Sequence, residues 1–121
     1  MVNFGTIFRY NEEYYVYLIE TDSILFAARI INKDITKQLI KRVNNPAVKA
    51  NGKPMYCFVV LSTNGFKEQA AHYGQPELSK NIYQDVVGEL NEEDFNELKE
   101  EIKKDSASPI ILRETFKKMF P

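Results

Sequence analysis

The chain has 121 residues, enough for one domain to bury its own core, and its 44% apolar and 27% charged residues are the balance of a folded globular protein. Its 16 Lys and Arg against 17 Asp and Glu leave a net charge of -1, without the basic excess of proteins that wrap nucleic acid non-specifically.

The first third reads as strands. Residues 4–10 are rich in β-formers, and Asn11-Glu12-Glu13 is a polar turn. Residues 14–19, Tyr-Tyr-Val-Tyr-Leu-Ile, make a second strand, Thr21-Asp22-Ser23 a second turn, and residues 24–31 a third strand. Turns this short join antiparallel neighbours, so the expectation is a three-stranded meander. The second strand is apolar on both faces and belongs at the centre of the sheet or inside a small barrel.

The period then changes. In residues 34–43, Ile35, Leu39, Ile40 and Val43 share one helical face, and Lys37, Lys41 and Arg42 fall largely off it. Asp34 is the predicted N-cap, and Asn44-Asn45-Pro46 ends the helix. Residues 47–54 read as a loop, and residues 55–61 as a buried strand. Asn64-Gly65 signals a hairpin, with residues 66–73 as the candidate returning strand up to the Gly74-Gln75-Pro76 break; within it Glu68-Gln69-Ala70-Ala71 has weak β-propensity, and an irregular segment is the alternative there. Residues 82–87 are the last predicted strand.

A helix begins at Asn91, the predicted N-cap, with Glu92, Glu93 and Asp94 at the positive end of its dipole. Leu90 and Phe95 form a hydrophobic staple across the cap, and Phe95, Leu98 and Ile102 continue one apolar stripe. Ser108 and Pro109 are placed to cap a further helix, with Leu112, Phe116, Met119 and Phe120 on one face. The fold class expected is α+β in a single domain spanning residues 1–121.

Chemistry-bearing residues are few. Cys57 is the only cysteine, so no intrachain disulfide forms, and its apolar neighbours mark a buried, inert thiol. With His72 the only histidine there is no Cys/His cluster for zinc. No glycine-rich phosphate loop, Gly-x-Ser-x-Gly elbow, His-Glu-x-x-His or dinucleotide fingerprint occurs, so no cofactor and no metal are expected. The first ten residues lack a signal-peptide pattern and no apolar run approaches the ~20 residues of a membrane span, so a cytoplasmic location and no membrane partner are expected. The carboxylates of residues 89–101 read as the solvated face of a helix. The aromatic set Phe8, Tyr10, Tyr14, Tyr15 and Tyr17 reads as sheet packing, with base stacking as the alternative. His72 is the one side chain whose ordinary pKa lies near neutrality, and Arg29 stands in an otherwise apolar strand, where it needs a carboxylate, phosphate or carbonyl partner.

Phe4-Gly5-Thr6-Ile7, Phe58-Val59-Val60-Leu61-Ser62 and, above all, residues 87–95, Val-Gly-Glu-Leu-Asn-Glu-Glu-Asp-Phe, resemble the MazF/PemK-type toxin family. The resemblance covers about half the chain in scattered pieces. It implies an antiparallel SH3-like β-barrel with a helical insertion and C-terminal helices. The activity implied is that of a metal-independent endoribonuclease of a toxin–antitoxin system. The family's glycine-rich catalytic loop is absent here, and Asn32 stands about where a Ser or Thr is expected, so no catalytic residue is carried over. The catalytic candidates come from their own chemistry: Arg29 for transition-state charge and His72 for proton transfer. Expected partners are an antitoxin or another protein, single-stranded RNA, and a second copy of the chain in a homodimer. The alternative is a non-catalytic protein-interaction module, or a small RNA-binding module, on the same barrel. A basic surface around Lys37, Lys41 and Arg42 would favour RNA, and an exposed apolar groove a peptide partner.

Overall fold

The computed structural model describes residues 2–32, 34, 35, 38, 58–73, 77–79, 85–105 and 108–121. Cys57, the basic set Lys37, Lys41 and Arg42, most of the predicted 34–43 helix, the 47–54 loop and the 74–76 break lie outside the described residues.

The predicted meander is present as β1 (Thr6–Tyr10), β2 (Glu13–Glu20) and β3 (Leu25–Ile31). Shorter strands follow as β4 (Phe58–Val60), β5 (Ala70–His72), β6 (Glu77–Leu78) and β7 (Asp85–Glu89), then helices α1 (Glu92–Lys104) and α2 (Ile110–Met119). The fold is α+β. One sheet runs in the order β4-β5-β3-β2-β1-β7, with β6 also on β3, and every ladder is antiparallel. Central placement of β2 is what its two apolar faces require. The order ends on β4 at one edge and β7 at the other, with no ladder between them among the described residues, so the sheet is open there rather than a closed barrel.

The β1–β2 turn is tight because Tyr10 pairs with Glu13, leaving Asn11 and Glu12 as its two central residues at φ 50 and 64. That is the primed turn that suits hairpin twist, and it places a glutamate in the left-handed region that disfavours side chains. Glu12→Gly is expected to stabilise the protein by about 0.5–1 kcal/mol, read from the urea midpoint at unchanged slope.

One face of the sheet lies under both helices. Ile7, Val16, Leu18, Ala28 and Val59 pack there with Leu98 and Ile102 of α1 and Leu112 and Phe116 of α2. Phe4 sits at the centre, its ring 4.6 Å from Phe95 and 4.8 Å from Phe116. Leu112 and Phe116 of α2 therefore pack into this core, while Met119 of the same predicted face is 49% exposed. Gly5 has φ +98, and an added Cβ would stand 2.9 Å from Cδ2 of Phe95. Gly5→Ala is expected to cost roughly 2 kcal/mol or more, from backbone strain plus the clash, measurable as a lowered unfolding midpoint.

The opposite face carries Phe8, Tyr15, Tyr17, Leu25 and Ala27 as a smaller cluster. Phe8 and Tyr15 stack at 5.6 Å, and the Tyr15 and Tyr17 rings are buried, with their hydroxyls donating to Glu13 and Glu20. These three rings pack within the sheet, whereas Tyr14 is 36% exposed, its ring 5.2 Å from Phe66.

Several local expectations are corrected. Asn32 rather than Asp34 caps the helix that follows β3: its Oδ1 accepts from the Ile35 amide at 2.9 Å, and Asp34 is already helical. The returning strand starts at Ala70, not at residue 66. The loop before it closes through Leu61 N–H to Gln69 O at 2.7 Å and turns at Thr63, whose carbonyl accepts from Phe66 N–H at 2.9 Å. Gly65, at φ 90, lies inside that loop. Asn91 does cap α1, accepting from the Asp94 amide at 2.8 Å. Ser108 does not cap α2; its hydroxyl donates to the Ile102 carbonyl at the end of α1.

The acidic run is not all solvated face either. Asp94 is 1% exposed. Its carboxylate accepts from the Thr63 amide at 2.7 Å, the Ser62 amide at 2.8 Å and both hydroxyls. At the far end of α1, Asp105 accepts from the Tyr73 hydroxyl at 2.8 Å.

Candidate functional site

Arg29 and His72, far apart in sequence, are direct partners across the β3–β5 ladder. Tyr15 pairs with Arg29 on the other side, so Tyr15, Arg29 and His72 form one row across β2, β3 and β5. Residues paired in this way project from the same face with their Cβ atoms about 5 Å apart. Arg29 is the exposed position of a strand whose burial pattern is otherwise fully buried, because alternation and register bring it to the rim where β5 gives way to β6. His72 lies within β5, half-buried.

The row lines a cleft of about 270 Å³ formed by Tyr15, Ala27, Arg29, His72 and Leu78. Larger clefts of about 390 and 460 Å³ run on either side of Phe4, but their only ionisable side chains are Glu89 and, with Tyr17, Glu20. A further cleft of about 450 Å³ gathers Tyr10, Ser23, Glu77 and Ser79, and of these four the 270 Å³ cleft is the one that holds an arginine and a histidine.

Glu13 closes the arrangement at the rim. One carboxylate oxygen lies 3.5 Å from Nη1 of Arg29, and the other accepts from the Tyr15 hydroxyl at 3.1 Å. Arg29 thus has the carboxylate partner its sequence position calls for, in an exposed and long contact.

Burial pushes the His72 imidazole below its ordinary pKa of 6.5, and the neighbouring Arg29 charge pushes the same way. Burial raises the Tyr15 phenol, as do its hydrogen bond to Glu13 and the Glu13 charge, while Arg29 opposes them. At neutral pH the cleft therefore offers a neutral imidazole, a protonated phenol and a permanent cation. A neutral imidazole takes up a proton, and a guanidinium holds two oxygens of one anion at once. Among the described residues no group of three or more His, Cys, Asp or Glu is placed to hold a metal ion, and the side chains gathered here suit an anion.

Of the groups in this site, Tyr15 and Glu13 are not evident from sequence reasoning. Strand alternation puts Tyr15 and Tyr17 on one face of β2, but the register that sets Tyr15 beside Arg29 depends on the turn and on a bulge between Tyr17 and Ile19. No membrane-length apolar helix occurs among the described residues. Comparison of the chain with protein-family models, with curated proteins and with solved structures gives no match.

Proposed function

We propose that this chain is a MazF/PemK-like toxin whose open sheet is a diverged form of the SH3-like barrel, and that it cleaves RNA without a metal ion. The observation that carries the reading is the pairing of Arg29 with His72, beside Tyr15, in one cleft. His72, held neutral, takes the proton of a ribose 2′-hydroxyl. The freed oxygen bonds to the adjacent phosphorus as the bond from phosphorus to the 5′ oxygen breaks. Arg29 stabilises the charge that builds on the phosphate oxygens, and the departing 5′ oxygen takes its proton from water. An antitoxin that covers this cleft would silence the activity.

The test is incubation of the purified protein with long single-stranded RNA in chelator, beside Arg29→Ala and His72→Ala. Cleavage by the wild type that is lost in both variants supports the reading. Intact RNA with the wild type sinks it.

The second reading, a protein-interaction module, draws on β7. All five of its residues are exposed, Val86 and Val87 at 53% and 46%, and among the described residues it pairs only with β1. An extended segment of a partner protein would add to this edge as a further strand. Should RNA stay intact, binding of a partner that protects β7 amides from exchange would favour this reading.

A further inference from the structure

The contact between Arg29 and Glu13 contributes little to stability. It spans 3.5 Å, and its side chains are 47% and 46% exposed, conditions under which an ion pair adds little to folding. Its place is more informative than its strength. Glu13 directly follows the tight turn, is fixed there by its pairing with Tyr10, and spans the two groups that border the cleft. One of its oxygens takes the guanidinium and the other takes the phenol. A planar carboxylate shared by a guanidinium and a hydroxyl is engaged much as a phosphodiester's two free oxygens would be.

We propose that Glu13 is a resident anion of the cleft, which an incoming phosphate group must displace from Arg29 and Tyr15. The inference rests on the reading of this cleft as a phosphodiester site, but it concerns binding and not cleavage. Displacement costs the incoming anion its contest with a carboxylate already in place. Small anions therefore bind weakly, and a polynucleotide, which adds contacts along its backbone, is favoured over free phosphate. Glu13 then determines which phosphates enter and takes no part in the bond-breaking step.

The probe is inorganic phosphate, titrated by NMR against wild type, Glu13→Gln, Arg29→Ala and the Glu13→Gln/Arg29→Ala double variant. Glutamine keeps the size of the side chain and an oxygen for the Tyr15 hydroxyl, and loses only the charge. The expected result is that Glu13→Gln binds phosphate roughly threefold to fivefold more tightly than wild type, the range an exposed ion pair permits. Arg29→Ala should abolish the gain in the double variant. On an RNA substrate, KM should fall by a similar factor, since the lost charge opposed binding. Weaker phosphate binding in Glu13→Gln would make Glu13 a support for Arg29 and overturn the proposal, as would an unchanged affinity or a gain that survives removal of Arg29. If phosphate binds as expected and RNA is not cleaved, the nuclease reading fails and the role of Glu13 stands.

Discussion

Asp94→Ala is expected to destabilise the protein by roughly 3–5 kcal/mol, far more than the loss of an exposed ion pair such as Arg29 with Glu13. The Asp94 carboxylate is buried and accepts from two successive backbone amides, Ser62 and Thr63, together with their hydroxyls. Alanine removes every acceptor at once and leaves the two amides without partners in a site that water reaches poorly. Each such amide costs about 1–3 kcal/mol, and bonds to a charged acceptor lie at the upper end. Asp94→Asn should cost less, about 2 kcal/mol, because one oxygen remains while the new NH2 group meets donors. Ser62→Ala should cost under about 1 kcal/mol, since Ser62 is only partly buried and its amide keeps the carboxylate. Thermal unfolding resolves these differences, with a fall of roughly 10–20 °C for the alanine variant of a domain this size. A fall of only two or three degrees would show that the loop carries these amides without Asp94.

The second large effect is on the proposed RNA cleavage. Removing His72 should lower RNA cleavage by about 10²–10⁴-fold, the range for loss of a general base, and removing Arg29 by about 10²–10³-fold. The pH profile is the sharper measurement. A base whose pKa is lowered below 6.5 is already unprotonated at neutrality, so activity should be flat near pH 7 and fall only in more acidic solution. In Arg29→Gln the cation that helps lower this pKa is gone, so the acid limb should move towards higher pH in whatever activity remains. An acid limb that stays in place would mean that the titrating group is not His72. Stability follows the same sign. With the folded pKa below the unfolded one, the unfolded chain binds more protons between the two values, so this contribution is complete above pH 6.5 and is lost as pH falls through the folded value.

Where local chemistry decides the structure, the sequence was an adequate guide. The central position of β2 follows from its two apolar faces, and the start of α1 follows from Asn91 with Leu90 and Phe95 on either side of the cap. The cap at the end of β3 shows the limit of such signals. Asn32 and Asp34 are both good capping residues, and only the backbone path at the end of the strand chooses between them. Asp94 shows a second limit. In an acidic run it looks like its neighbours, and its burial depends on amides 31 and 32 positions away. The site was half legible. Arg29 and His72 stand out by residue type, but their adjacency is a property of register between strands distant in sequence, which no local pattern encodes. Glu13 belonged to the turn in the sequence, and its link to Tyr15 and Arg29 exists only once the meander has formed.

The two tethers at the ends of α1 bear on how the protein is made. β5 is three residues long and begins Ala-Ala, so it has little tendency to hold a strand by itself. Its hairpin is fastened to the helix through Ser62 and Thr63 on Asp94 at one end and Tyr73 on Asp105 at the other. His72 is the residue next to the second tether. During synthesis the meander carrying Arg29 leaves the ribosome well before residues 94 and 105, and it can pair as soon as it emerges. The histidine half of the cleft gains its anchors only once residues 94 and 105 have also emerged. A nascent chain still lacking residues 94 and 105 would therefore hold Arg29 in place before its partner strand is anchored.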